Sequence, residues 1–127
     1  MKSLLMVVAG LVLTVANGIP LNPSYTPEAV REYKEKADAG DAEAQATLGS
    51  LYESGLGVEK DEACAVKWYR SAAELGSAEG QYCLGRSYEL GRGVKVDCVA
   101  VAKWYKKAAE QGSKEAVEEL KPFGVLE

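Results

Sequence analysis

No histidine occurs in the 127 residues, and phenylalanine appears once. Without an imidazole, Ser-His and Cys-His nucleophile pairs and the common zinc arrangements are excluded. Cys-x-x-Cys, His-Glu-x-x-His and phosphate-cradling Gly-Lys motifs are also missing. Carboxylates are plentiful but scattered over polar positions, so no acid/base pair stands out and no catalytic, metal or cofactor residue is assigned. Positive charge is short as well: 15 Lys and Arg face 19 Asp and Glu, for a net charge of −4. Such a chain gains little from neutralising phosphates, which argues against nucleic acid and against an anionic membrane surface as partners. Nor is there an apolar run that crosses a bilayer. The longest, Leu4–Val15, has 12 residues, whereas a span needs roughly 20.

That run has another reading. Lys2 precedes it, and the small residues Ala16 and Gly18 follow it, which is the layout of a secretory leader cleaved before Ile19. No cysteine stands at a lipid-attachment position after it. The expectation is a signal peptide over residues 1–18 and an exported domain, periplasmic or extracellular. Losing Lys2 with the leader moves the net charge from −4 to −5. Cys64, Cys83 and Cys98 all fall in the exported part, where disulfides are permitted. Their odd count leaves one thiol over. Cys64 and Cys98 are the candidate pair, while three unpaired thiols is the favoured expectation.

What the chain does contain is a repeat. Residues 42–77 and 78–113 align without a gap and are identical at 19 of 36 positions. A period of this length marks a solenoid, in which each unit buries its apolar face only against its neighbours. Start and stop signals recur in phase. Asp41, Ser77 and Ser113 stand at N-cap positions, each one residue after Gly40, Gly76 or Gly112, which end the previous helix. Gly55 and Gly57, repeated as Gly91 and Gly93, separate the two helices of a unit, and Asp61 or Asp97 caps the second.

Second helices carry a stripe, Ala65, Trp68, Tyr69, Ala72 and Ala73, repeated as Val101, Trp104, Tyr105, Ala108 and Ala109. This spacing predicts one buried face. First helices share Gln45, Leu48, Gly49 and Tyr52 with Gln81, Leu84, Gly85 and Tyr88, and the glutamines are expected to bond a neighbouring loop. Half units flank the complete ones. Ala29, Tyr33 and Ala37 fall on Ala65, Tyr69 and Ala73, but Glu32 and Lys36 replace Trp68 and Ala72, which suits a terminal helix. Thr26 and Pro27 start that helix. At the other end Ala116, Val117 and Leu120 begin a first helix that Pro122 stops. The expected fold is all-α: a short α/α solenoid of five helices over residues 27–121. An extended segment, 19–26, precedes it and a tail, 122–127, follows.

Taken together, Ala42, Gln45, Leu48, Gly49, Tyr52, Gly55, Gly57, Val58 and Asp61, then Lys67, Trp68, Tyr69, Ala72, Ala73, Glu74 and Gly76, form a pattern. It resembles the Sel-one-like repeat, a relative of the tetratricopeptide repeat, and Ala78–Gly112 carry it again. The resemblance implies a right-handed solenoid whose first helices line the inner curve, and a non-enzymatic adaptor that binds other proteins. Exported relatives include immunity proteins of secreted toxins, so an immunity or inhibitor protein is the alternative. A cysteine-rich branch with a disulfide in every repeat, linked to penicillin binding, would imply a hydrolase. This chain lacks that cysteine pattern.

Positions that differ between the units are freer for recognition than those that maintain the stack. Tyr82, Arg86 and Leu90 lie at i, i+4 and i+8 on one helical face, and Tyr and Arg are enriched at interface hot spots. With Glu89, and with Ser50 and Glu53 of the preceding unit, they are the candidate partner-binding residues. A packing role for Tyr82 and an ion pair of Arg86 with Glu89 or Glu79 is the competing expectation.

Overall fold

The computed structural model describes the backbone of residues 4–8, 11–16 and 19–20, and residues 25–124 in full except the side chain of Phe123. Asn17 and Gly18, just before the proposed cleavage at Ile19, and the tail beyond Gly124 lie outside the described residues. Strands β1 (Leu4–Val8), β2 (Leu11–Ala16) and β3 (Ile19–Pro20) form a small antiparallel sheet in the order β1-β2-β3. Leu4 pairs with Val15 and Ala16 with Ile19.

The repeat domain is all-α, with six helices: α1 (Pro27–Asp38), α2 (Ala42–Ser54), α3 (Glu62–Glu74), α4 (Ala78–Leu90), α5 (Cys98–Glu110) and α6 (Lys114–Leu120). The starts and stops in the sequence mark all six, so the count of five is one short: α6 follows its own Ser113 cap for seven residues before a 3-10 turn at Lys121–Phe123. Each helix packs chiefly on the next in sequence, as a solenoid requires.

All six N-caps stand where the sequence places them. Thr26, Asp41, Asp61, Ser77, Asp97 and Ser113 each accept a bond from a backbone amide of the first turn, at 3.0–3.3 Å. Losing such a cap typically costs about 1 kcal/mol. At the C-terminal ends Gly40, Gly76 and Gly112 take φ of 95°, 95° and 92°, the left-handed region that a side chain disfavours.

Three apolar clusters run along the stack. Val30, Ala37, Ala44, Leu48 and Leu51 form the first. Ala65, Val66, Tyr69, Ala73, Leu84 and Trp104 form the second, and Val101, Tyr105, Ala108, Ala116 and Leu120 the third. Close approach of the helices depends on Gly49 and Gly85, where an added Cβ would come within 2.6 Å of the Tyr69 and Tyr105 rings.

The predicted stripe is buried except at Trp68 and Ala109, which are half-buried. Trp104 is 6% exposed, whereas Trp68, its equivalent, is only half-buried. Their neighbours on the helix differ. Lys103 and Lys107 place their ammonium groups 4.8 and 5.0 Å from the Trp104 ring, covering it with their methylene stems. The register of Lys107 is Ser71 beside Trp68, and a serine is too short to cover a ring. At the N-terminal end Glu32 and Lys36 pair with each other at 2.8 Å on an exposed face, as a terminal helix without an earlier neighbour allows.

Candidate functional site

The two repeated glutamines are structural. Gln45 and Gln81, 4% and 5% exposed, donate to the carbonyls of Ala37 and Ala73 at 3.0 and 3.2 Å. Each therefore ties a first helix to the last turn of the helix before it. Tyr69 and Tyr105 serve the same end within a unit. The Tyr69 hydroxyl donates to Glu53 at 2.9 Å and approaches Ser50 at 3.1 Å, and that of Tyr105 donates to Glu89 at 2.6 Å. Burial raises the pKa of both tyrosines, with a smaller contribution from the facing carboxylates, so both remain neutral donors.

These bonds divide the six candidate residues. Ser50, Glu53 and Glu89 are engaged with the second-helix tyrosines, and Glu53 also meets Arg92 at 3.5 Å. Tyr82 and Arg86 come together on α4, Tyr82 half-buried and Arg86 exposed. The Tyr82 ring stacks on Tyr105, with centroids 5.6 Å apart and planes at 27°, and the Arg86 guanidinium lies 6.0 Å from the Tyr82 ring. Arg86 is exposed and forms no ion pair with Glu79 or Glu89 among the described residues. Burial raises the Tyr82 pKa, with Arg86 opposing. Leu90, the last of the i, i+4, i+8 set, is 49% exposed.

Tyr82 also lines a shallow groove between α4 and α6, of about 490 Å³, with Glu79, Cys83, Gln111, Ser113 and Glu115. The groove thus has an aromatic wall and two carboxylates. Arg86 lies one helical turn further along α4. Such an arrangement suits a polar or basic extended segment, whose amides and cations find acceptors there.

All three cysteines are free thiols. Burial, with Glu79 and Glu53 adding, pushes the Cys83 thiol up to about 12, the reverse of what a nucleophile needs. Among the described residues no cluster of three or more His, Cys, Asp or Glu is placed to hold a metal, and no helix is long and apolar enough to cross a membrane.

A second concavity escaped the sequence reading. Glu89, Val96, Cys98, Val101, Ala102, Tyr105 and Leu120 line an apolar cavity of about 180 Å³ at the C-terminal end of the stack. Its signal was present in the chain, in the exchange of Lys60 and Glu62 in one unit for Val96 and Cys98 in the next. Those residues sit in a turn and at a helix start rather than on the first-helix face that carries Tyr82 and Arg86.

The Sel1 repeat family model matches residues 42–77 and 78–113, the same two units that the internal alignment delimits. Among solved structures, the chain is similar to a protective antigen of uropathogenic Escherichia coli strains that displays an SLR fold, at 42% identity and TM-score 0.74. That match covers 82% of this chain but 22% of the antigen, so the chain spans about a fifth of its length. It is similar also to a Sel1 repeat protein from Oxalobacter formigenes, at 42% identity and TM-score 0.73, over 84% of this chain and 77% of that one. Helicobacter pylori cysteine rich protein B is 27% identical with TM-score 0.70, over 73% of this chain and 70% of its own. A search of curated proteins gives no match. Sel1 repeats generally serve as protein–protein interaction scaffolds. On the period, the helix pairs and these likenesses together, the chain belongs to the Sel1 repeat family.

Proposed function

We propose that this protein is an exported, non-enzymatic adaptor that holds another protein, or an extended segment of one, against the α4 face. The observation that carries the reading is Tyr82 with Arg86. The ring is fixed by its stack on Tyr105, and the exposed guanidinium lies over it with no ionic partner among the described residues. An aromatic and a cation already ordered in the free protein lose little entropy on binding, which is what makes such pairs effective anchors. Glu89, Leu90, Ser50 and Glu53 extend the same surface along the stack, with Glu79 and Glu115 as an acidic rim. Export rests on the leader-like residues 1–18 and places the partner in the periplasm or outside the cell.

The lack of histidine and the high Cys83 pKa support binding rather than hydrolysis. An immunity or inhibitor role is a special case of the same reading, in which one partner is held tightly and loses its activity. The test is capture from the exported fraction by wild type and by Arg86→Glu and Tyr82→Ala/Arg86→Glu, followed by titration of the purified partner. Arg86 is exposed, so its charge reversal leaves the fold intact. Affinity for the purified partner should fall about tenfold or more in the variants. Equal affinity for wild type and both variants refutes the proposed face.

A further inference from the structure

Shifting the second apolar cluster by one repeat shows what the 180 Å³ cavity is. On α3, Ala65, Val66 and Tyr69, with Leu84 of the following first helix, surround Trp104. Their equivalents one unit later are Val101, Ala102, Tyr105 and Leu120, and all four line the cavity. The cavity is therefore the Trp104 socket repeated, without a tryptophan. Past α6 the repeat pattern is not kept, since α6 stops at Leu120 with Pro122 in the register of Arg86 and Gly124 in that of Tyr88, and none of the described residues places a tryptophan in this socket. Apolar cavities of roughly 150 Å³ take up a benzene-sized ring, so this one fits an aromatic side chain.

Its rim differs from that of its twin. Around the filled socket Lys60 and Glu62 form an ion pair at 3.4 Å, whereas the same positions beside the open socket are Val96 and Cys98. Val96, Val99 and Leu90 are 61%, 80% and 49% exposed, which makes this end of the molecule an apolar patch of the kind that marks interaction surfaces. At the opposite end the corresponding face carries the exposed Glu32–Lys36 ion pair. Charge gives a second match. Glu53 accepts Tyr69 and, from the turn of the next unit, Arg92. Glu89 accepts Tyr105 but meets no cation among the described residues.

We infer that this end of the solenoid is a docking surface for a second protein carrying a Sel1-type segment, whose tryptophan enters the socket and whose turn arginine pairs with Glu89. The contact continues the interface that α5 already makes with α3. The partner segment is specified by Arg92 and Trp104, which do the same inside this chain: an arginine on a glycine turn, then a tryptophan 12 residues later on a helix.

The probe is a labelled peptide of residues 91–111 of this chain, held helical by a hydrocarbon staple joining positions 102 and 106, opposite Trp104 on the helix. Titrated into the full-length protein, it should bind saturably. Trp104→Ala in the peptide should weaken it about tenfold or more, and Arg92→Glu by less. Ala102→Lys in the protein, at an exposed position within the socket, should abolish binding, while Arg86→Glu leaves it unchanged. That last result separates this surface from the Tyr82–Arg86 anchor, although Glu89 and Leu90 border both. Absence of binding by the stapled peptide, or equal binding to wild type and Ala102→Lys, overturns the proposal. So does finding that the protein alone is a dimer that Ala102→Lys dissociates, because a second copy then fills the socket.

Discussion

Gln45 and Gln81 occupy the same register, are equally buried, and donate to equivalent carbonyls, yet they are not equally satisfied. The Gln81 side-chain oxygen accepts a bond from Gln111 at 2.8 Å. That of Gln45 has no hydrogen-bond partner among the described residues, because the register of Gln111 in the first unit is Leu75, which is 56% exposed. The tryptophans repeat the lesson: Trp104 is covered by two lysine stems and Trp68 by one at most. In a solenoid, the worth of a repeated residue is set by positions that do not repeat. The first unit is less complete than the second at both places.

The largest consequence concerns the tryptophans. Trp104→Ala should cost about 3–5 kcal/mol, as truncating a buried aromatic does, and Trp68→Ala on the order of 2 kcal/mol, since less of the ring leaves water. Chemical denaturation of both variants checks this, with unchanged m-values required for a two-state comparison. Equal losses would mean that the lysine stems contribute nothing to the burial of Trp104.

The glutamines come next, and here the difference can be moved from one unit to the other. Gln111→Leu leaves a second buried amide oxygen unpaired, and should destabilise by about 1–3 kcal/mol. Leu75→Gln offers Gln45 the donor it lacks. It also removes an exposed apolar side chain, and should stabilise by roughly 0.5–1.5 kcal/mol. A gain from Leu75→Gln that persists in Gln45→Leu would show that the effect came from the surface rather than from the amide.

Most of the fold was legible because it rests on local signals. Asp41, Asp61, Ser77, Asp97 and Ser113 announce helix starts by side-chain chemistry, and the glycines announce ends by backbone freedom. The buried face follows from spacing, although Val66, 5% exposed, was left out because it stands beside the stripe and is buried by the next unit rather than its own. The candidate site was less legible. That Glu53 and Glu89 are held by Tyr69 and Tyr105 depends on contacts 16 residues apart, which no periodicity encodes. The stack of Tyr82 on Tyr105 and the apolar socket likewise appear only when second helices are placed beside first helices.

The smallest difference between the units lies in their response to alkali. Tyr69 and Tyr105 are common to both, and both have pKa values raised by burial above the ordinary 10.0. Cys83 has no counterpart, since Thr47 stands in its register, and its thiol is raised from 9.0 to about 12. A group whose pKa is raised on folding stays protonated in the native state while the unfolded chain releases its proton. Its contribution is therefore complete at low pH and is lost as pH rises past the unfolded value. Stability should be level from neutrality to about pH 9, fall gently from there as the unfolded thiol ionises, and fall more steeply above about 10 as the unfolded tyrosines follow. Cys83→Ala should keep the curve level up to about pH 10, whatever its absolute stability, and Tyr69→Phe should reduce only the steeper part. Unfolding free energies between pH 7 and 11 measure both. A gentle phase that survives Cys83→Ala would assign it to another group and leave the two units alike in their alkaline response.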